Sequence, residues 1–198
     1  MVLTDPVLLR GRDAVDVCLR ATAGGATMVQ VRWKDATPMG LLQLARALVL
    51  ALPVPVLVND RVDVALAAGA AGAHLGQDDP PLDTLRPELP PGFLLGVSVG
   101  SVLEAERVRA WPADYWSVGP CFDTGNKADA GPALGPNGFA ALARLAPEAM
   151  PVIGIGGITA ENAAQIIRAG AVGVAVIGAV MGAPDPQEAA RELRAVLS

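Results

Sequence analysis

Residues 55–79 read PVLVNDRVDVALAAGAAGAHLGQDD, and this stretch decides the fold. Two short apolar runs, Pro55–Val58 and Gly72–Leu75, have the length of buried strands. Between them, Val62–Ala68 places apolar residues at three- and four-residue intervals, which is typical of a helix with one buried face. A strand, a helix and a second strand in this order predict two parallel strands joined by a right-handed crossover.

The same alternation continues in both directions along the chain. Further strands are predicted at Thr27–Val31, Leu94–Val97, Asp114–Val118, Val152–Ile155 and Gly173–Ile177, and further helices at Met39–Leu52, Val102–Ala110, Phe139–Leu145, Asn162–Ala169 and Gln187–Leu197. With Met1–Thr4 and Ala14–Ala23 in front, the chain holds about eight strand-then-helix units. A count near eight favours an α/β fold closed into a (β/α)8 TIM barrel, because a doubly wound open sheet usually stops at five or six strands.

Composition limits the class of protein. A chain of 198 residues, 52% of them hydrophobic and without a linker-like stretch, predicts a single TIM-barrel domain over residues 1–198. Its net charge is −5 and its 15 Lys and Arg are scattered, so we expect no nucleic-acid or membrane partner and small molecules instead. The absence of a leader-like or spanning segment predicts a cytoplasmic protein, and a homo-oligomer stays open. Two distant cysteines predict reduced thiols.

Active sites of such barrels are built from loops at the carboxyl ends of the strands. Polar residues follow most of the predicted strands, a glycine pair follows the seventh strand, and Ile177-Gly178 closes the series at the eighth. The candidates in chain order are Gln30, Arg32, Lys34, Asn59, Asp60, His74, Gln77, Asp78, Asp79, Ser98, Thr124, Asn126, Lys127, Gly156, Gly157, Ile177 and Gly178.

Gln30, Arg32 and Lys34 alternate with apolar neighbours at the end of the second strand. Period two would place the three side chains on one face, so two cations would point at the mouth of the barrel. Paired cations there favour a polyanion such as pyrophosphate. Alternatively, Arg32 and Lys34 lie beyond the strand in solvent.

Asp60 and Asp79 are expected at the ends of neighbouring strands, where they could hold one magnesium ion together with phosphate oxygens. The competing interpretation is helix capping, since Asn59 or Asp60 precedes a helix and Asp79 precedes Pro80.

Other features bear on a phosphate site. Gly156-Gly157 and Ile177-Gly178 follow the last two strands, where phosphate-binding barrels place helix N-termini, although a tight turn explains a Gly-Gly pair equally well. His74 is the only histidine and fits either a core position or a site. The long polar stretch from Cys121 to Gly138 is expected to be functional or disordered.

Taken together, the chain resembles the thiamine phosphate synthase family from Thr4 to about Gly182. The motifs that carry the resemblance are Gln30-x-Arg32-x-Lys34, Val58-Asn59-Asp60-Arg61, His74-Leu75-Gly76-Gln77-Asp78-Asp79, Gly96-Val97-Ser98, Gly119-Pro120-x-x-x-Thr124-x-x-Lys127 and Ile155-Gly156-Gly157-Ile158. Their order and spacing make them specific.

The resemblance implies a magnesium-dependent transferase that joins hydroxymethylpyrimidine pyrophosphate to hydroxyethylthiazole phosphate. It implies that Asp60 and Asp79 bind magnesium and that Gln30 and His74 line the pyrimidine pocket. Pyrophosphate would be held, and its departure assisted, by Arg32, Lys34, Asn59 and Lys127. The thiazole phosphate would be held by Ser98, Thr124, Asn126, Gly157, Ile177 and Gly178.

Three positions depart from the family pattern. Asn126 replaces a usual threonine, Gly178 a usual serine and Gly100 a usual histidine. Two alternatives stand beside the synthase. One is a thiazole tautomerase with the same barrel, a group that the resemblance associates with a histidine at position 100 and with loss of the Asp pair and the Lys, the reverse of the pattern in this chain. The other, which the altered loop leaves open, is a non-catalytic barrel that binds thiamine precursors.

Overall fold

A computed structural model describes residues 1–125 and 131–197, and its strands form one parallel sheet in the order β1 to β8. The strands are β1 (Val2–Leu3), β2 (Val29–Val31), β3 (Val56–Asn59), β4 (Gly72–Leu75), β5 (Leu94–Val99), β6 (Tyr115–Val118), β7 (Val152–Ile155) and β8 (Gly173–Ala175). The sheet closes on itself, because the Leu3 N–H donates to the Val176 carbonyl at 2.9 Å and the Val176 N–H donates to the Met1 carbonyl at 3.1 Å. The predicted TIM barrel is confirmed.

Helices connect the strands on the outside of the barrel. They are α1 (Pro6–Leu9), α2 (Ala14–Ala23), α3 (Pro38–Ala51), α4 (Val62–Ala68), α5 (Leu82–Leu85), α6 (Val102–Val108), α7 (Gly135–Ala143), α8 (Ala163–Arg168), α9 (Gly178–Met181) and α10 (Pro186–Val196), with a 3₁₀ turn at Arg86–Glu88. The short helices α1, α5 and α9 were not expected, because four residues are too few to display a helical period. None of the helices in the described ranges is long and apolar enough to cross a membrane.

Alternation along the strands sorts the side chains to two sides of the sheet. Val29, Val58, Val97 and Trp116 are fully buried in the core between sheet and helices. Each buried valine of this kind stabilises the fold by about 1.5–3 kcal/mol. The intervening positions face the barrel interior, which is partly polar and contains the buried Gln30, His74 and Ser117.

The ends of two strands affect the site: β2 ends at Val31, as predicted, and β5 continues beyond its predicted end at Val97. Strand β2 ends at Val31, so the period-two alternation does not continue to Arg32 and Lys34. Arg32 is held instead by Thr4, 28 positions away in the chain, whose hydroxyl accepts from the Arg32 N–H at 2.8 Å and donates to the Arg32 carbonyl at 3.0 Å. Strand β5 continues through Val99, paired with Val118, and Ser98 therefore lies within the strand.

Candidate active site at the carboxyl ends of the strands

Arg32 is anchored at the mouth of the barrel by a residue that the sequence did not single out. Its guanidinium lies 3.3 Å from the Asp5 carboxylate, and the two side chains are only 11% and 13% exposed. Asp5 in turn accepts from the backbone N–H groups of Val7 and Leu8 and so caps α1. The alternative that Arg32 extends into solvent is therefore wrong, while Lys34 is exposed.

Asp60 and Asp79 meet at the ends of β3 and β4. The backbone N–H of Asp60 donates to the His74 carbonyl at 2.8 Å, in a left-handed conformation with φ 61°. The pKa of Asp60 is raised to about 6, mainly by burial and then by the charge and hydrogen bonding of Asp79, whereas Lys34 and Arg32 act in the opposite direction. Two carboxyl groups that resist joint ionisation are a place where a cation relieves repulsion.

Helix capping does not explain these two aspartates. Helix α4 has Arg61 at its N-cap without a side-chain cap bond, and α5 begins at Leu82 after Pro81. Instead, the Asp79 carboxylate accepts from the Gly76 N–H at 2.7 Å, which directs it back over the end of β4. Within residues 1–125 and 131–197, no group of three or more acidic, histidine or cysteine side chains could hold a metal. An ion on this pair would therefore need further ligands from substrate or water.

A hydrogen-bonded row of side chains crosses three neighbouring strands below the mouth. His74 on β4 has Nδ1 2.8 Å from the Tyr115 hydroxyl on β6 and Nε2 3.0 Å from the Ser98 hydroxyl on β5. Gly96 makes room for the row, because a Cβ there would lie 2.1 Å from the Tyr115 ring and 2.4 Å from His74 Nδ1. Sequence reasoning missed Tyr115, although the alternation of Asp114–Val118 places it on the same face as Ser117.

Two buried glutamine carbonyl oxygens in the site lack a hydrogen-bond partner among residues 1–125 and 131–197. Gln77 donates from Nε2 to the Ser98 carbonyl at 2.7 Å, and Gln30 donates from Nε2 to the Met1 sulfur at 3.6 Å. Among the described residues, neither Oε1 atom accepts a hydrogen bond, although both are buried. Buried acceptors are normally satisfied, so a ligand with N–H or O–H donors fits here.

The glycine pair after β7 brings the loop after β6 close to the site. Gly156 and Gly157 have φ 93° and 63°, and a Cβ at Gly157 would lie 2.5 Å from the Asp123 carbonyl oxygen. The Phe122 N–H donates to the Gly156 carbonyl at 3.0 Å, which keeps the start of this loop, and with it Thr124, beside the turn. Only glycine allows this close approach of two backbones.

A helix begins directly after β8, as expected, but no helix begins directly at the glycine pair after β7. Gly178 begins α9, with Ile177 as its N-cap. Helix α8 begins only at Ala163, and between Gly157 and that helix the Asn162 side chain donates to the Gly157 carbonyl at 2.9 Å. Asn126 and Lys127, which the sequence also proposed, lie outside the described residues.

Comparisons with known proteins agree with this architecture. The family model described as thiamine monophosphate synthase matches residues 1–180. The chain belongs to the thiamine monophosphate synthase family. It is 48% identical to the thiamine-phosphate synthase of Roseiflexus castenholzii over 97% of this chain and 85% of that protein. It is 48% identical to that of Methanoculleus marisnigri over 98% of this chain and 92% of the relative. The thiamine phosphate pyrophosphorylase from Pyrococcus furiosus superposes with a TM-score of 0.88, at 36% identity over 99% of this chain and 93% of that one.

Membership of the thiamine monophosphate synthase family supports the synthase and not the tautomerase alternative. Gly100 has no side chain that could replace the histidine that the resemblance associates with tautomerases at this position. Its backbone N–H donates to the Glu104 carboxylate at 2.6 Å. A Cβ at Gly100 would lie 3.0 Å from the Gly119 carbonyl oxygen, so a larger residue would have to displace its neighbours.

Proposed function

We propose that this barrel catalyses the coupling of hydroxymethylpyrimidine pyrophosphate with hydroxyethylthiazole phosphate to form thiamine phosphate and pyrophosphate. The observation that carries the proposal is the meeting of two cations with two carboxyl groups at one edge of the barrel. Arg32 and Lys34 act electrostatically on Asp60, which shares its position with Asp79. A pyrophosphate with a magnesium ion matches this combination of charges. Relatives that span the whole chain are named thiamine-phosphate synthase, a transferase.

Asp60 and Asp79 are the residues that would hold magnesium. Their oxygen donors suit the ion, and the raised pKa of Asp60, caused by burial and by Asp79, marks a carboxyl pair whose repulsion is only partly offset by Lys34 and Arg32. Bound there, magnesium would neutralise charge on the pyrophosphate oxygens. Asn59, at the end of β3, is adjacent to the pair and would contribute its amide to the same phosphates.

Arg32, Lys34 and Lys127 would stabilise the leaving group. In the displacement, the bond between the pyrimidine's exocyclic methylene carbon and the pyrophosphate oxygen breaks, and its electron pair leaves with pyrophosphate. A new bond forms between that carbon and the thiazole nitrogen. Negative charge accumulates on the departing oxygen, so cations already fixed beside it lower the barrier. Arg32 is fixed in this sense by Asp5.

The two organic substrates would occupy the barrel mouth side by side. Gln30 and His74 would line the pyrimidine pocket, where the unpartnered Gln30 Oε1 could accept from the amino group of the ring. Ser98, Thr124, Asn126, Gly157, Ile177 and Gly178 would hold the thiazole phosphate through hydroxyl, amide and backbone N–H donors. The tasks of the protein are then positioning and charge neutralisation, without a protein nucleophile.

An assay of thiamine phosphate formation tests the proposal. We expect product only when both substrates and magnesium are present. Binding of the substrates without turnover would contradict the proposal and favour a non-catalytic binding barrel.

Asp79→Ala and Asp78→Ala test the metal assignment as a matched pair, because each removes one of two adjacent carboxylates. Asp78 is exposed, whereas the Asp79 carboxylate accepts from the Gly76 N–H at the end of β4. We expect Asp79→Ala to lower the apparent affinity for magnesium by about 10- to 100-fold. The loss of stability should be about 1 kcal/mol, since one hydrogen bond to Gly76 is removed. Asp78→Ala should behave as the wild type, and equal effects of the two variants would refute the assignment.

A cytoplasmic location, a homo-oligomeric state and the division of residues 1–198 into one domain stay predictions from the sequence.

A further inference from the structure

Two buried polar residues, Thr4 and Asp5, follow β1 and lie outside the set that is proposed to bind substrate or metal. Burying a hydroxyl or a carboxylate costs free energy unless the group finds hydrogen-bond partners. Both side chains find a partner in the same residue, Arg32, which follows the neighbouring strand β2. Two buried polar side chains from one segment are thus engaged with one arginine of the site.

Thr4 holds the backbone of Arg32, whereas Asp5 holds its side chain. The Thr4 N–H donates to the Gln30 carbonyl at 3.0 Å, which keeps the ends of β1 and β2 side by side. The Thr4 hydroxyl then pairs with the N–H and the carbonyl of Arg32, and Asp5 Oδ2 lies 3.3 Å from Nη1 of the guanidinium. A long side chain held at both ends has already lost much of its rotamer freedom, so less entropy is lost when it meets a ligand.

The two oxygens of the Asp5 carboxylate have different partners. Oδ1 accepts from the N–H groups of Val7 at 3.0 Å and Leu8 at 3.2 Å, which caps α1 and fixes the orientation of the carboxylate. Oδ2 is thereby directed at Arg32. Capping requires only an oxygen acceptor, whereas the ion pair with the guanidinium requires the negative charge, so one substitution separates the two tasks.

Helix α1, which Asp5 caps, is itself held at its other end. The Arg12 guanidinium donates to the Leu9 carbonyl at the end of α1 at 3.1 Å and to the Ala183 carbonyl beyond α9 at 2.6 Å. Asp5 is therefore attached to a support that joins the segments after β1 and β8. A residue that positions another one needs such support.

The charges near Arg32 explain why this arginine has to be held. Arg32 acts electrostatically on Asp60, which lies beside Asp79. A guanidinium without Asp5 would be drawn to these two carboxyl groups, because opposite charges attract strongly where water is partly excluded. It would then compete with the magnesium ion that the two groups are proposed to hold.

We infer that Thr4 and Asp5 are positioning residues, which hold the Arg32 guanidinium at the mouth of the barrel in the orientation that meets the pyrophosphate group. The inference rests on the proposed function for the identity of that ligand. It assigns Asp5 an effect opposite to that of its charge, since a negative charge near the site weakens the binding of an anion, whereas a correctly held arginine strengthens it.

Asp5→Asn and Asp185→Asn form a matched pair. Each aspartate precedes a proline, caps a helix through two backbone N–H groups and pairs with an arginine, but Asp185 and its partner Arg20 belong to the outer helices α10 and α2 and are 56% and 42% exposed. Asparagine keeps the cap and removes the charge. Binding of inorganic pyrophosphate in the presence of magnesium, measured by calorimetry, should weaken by about 10- to 100-fold in Asp5→Asn and stay unchanged in Asp185→Asn. Unchanged or tighter binding in Asp5→Asn, or equal losses in both variants, would overturn the inference.

A double-mutant cycle with Arg32→Ala shows whether Asp5 acts through the arginine. In the Arg32→Ala background, Asp5→Asn should cause no further loss of pyrophosphate affinity. Losses that multiply in the double variant would overturn the inference alone. Absence of pyrophosphate binding in the wild type would overturn the proposed pyrophosphate site and the inference with it, so the two failures are distinguishable.

Thr4→Val and Thr4→Ser test the backbone contact without a change of charge, and they decide the matter if Asp5→Asn does not fold. Valine has the shape of threonine but cannot pair with the Arg32 backbone, whereas serine keeps the hydroxyl. We expect Thr4→Val to lower kcat/KM for the pyrimidine pyrophosphate by about ten-fold, with KM for the thiazole phosphate unchanged, and Thr4→Ser to restore it. Equal losses toward both substrates, as a general loosening of the barrel predicts, or full activity of Thr4→Val would overturn the positioning role.

Discussion

Substitution of Gly96 by alanine should damage the barrel from inside. The added Cβ would lie 2.1 Å from Tyr115 Cζ, 2.3 Å from its hydroxyl and 2.4 Å from His74 Nδ1. Buried Cβ atoms do not approach other heavy atoms so closely, and both rings are held by a packed interior. We therefore expect the rings to separate and their 2.8 Å hydrogen bond to be lost.

The magnitude follows from two contributions. Overpacking by one methyl group typically destabilises a core by about 1–3 kcal/mol, and a lost buried hydrogen bond adds about 1 kcal/mol. Together they lower the free energy of unfolding by about 2–4 kcal/mol, or roughly 4–16 °C in Tm for a chain of this size. Urea unfolding followed by circular dichroism measures the first quantity and calorimetry the second.

Gly173→Ala is the matched control. Gly173 also lies in a strand, and the nearest atom to its added Cβ is Ile153 Cγ2 at 3.9 Å, an ordinary contact. The free energy of unfolding should stay unchanged or rise by up to about 1 kcal/mol, because alanine restricts the unfolded chain. A Gly96→Ala protein as stable as the wild type, or a Gly173→Ala protein equally destabilised, would refute the steric argument.

The remaining predictions concern the metal, the leaving group and the thiols. Since burial and Asp79 raise the pKa of Asp60 to about 6, protons compete with magnesium below that value. The apparent affinity for magnesium, measured by calorimetry in metal-free protein, should be nearly constant at pH 7–8 and fall about ten-fold by pH 5, and a flat profile would contradict this. Lys127→Ala should lower kcat far more than the affinity for the thiazole phosphate, because its charge would oppose the charge on departing pyrophosphate; comparable losses in both would count against that role. Burial raises the pKa of Cys18, which lies near Asp13, to about 12 and that of Cys121 to about 11. Both thiols should therefore resist Ellman's reagent at pH 8 until the protein is denatured, and rapid reaction of either in the native state would show that the burial argument is wrong.

Local sequence was sufficient for most of the fold because a barrel repeats one unit whose strands and helices have different periods. The sequence predicts the strand at Gly72–Leu75 and the helix at Val62–Ala68 to the residue, since the helix lies between Arg61 and Gly69 and the strand ends before Gly76. Strand ends were less predictable where partners intervene. Strand β5 continues to Val99 instead of ending at Val97, because it stays paired with Val118 of β6, which comes from another strand-and-helix unit.

The sequence by itself determined which residue types stand at the mouth of the barrel. Asp60 and Asp79 follow neighbouring strands, and parallel strands bring their carboxyl ends together at one edge, so the pairing of these two groups could be foreseen. The roles of Asn126 and Lys127 also come from the sequence alone.

Only the tertiary structure decided which side chains are held and by what. Asp5 anchors Arg32 across 27 positions of the chain, and Tyr115 reaches His74 across 41. Neither contact has a local signature, because each joins residues from separate strand-and-loop units whose distance is set by closure of the barrel. The direction of a hydrogen bond and the pKa of a buried carboxyl depend on such neighbours and on burial, which appear only when the sheet has closed.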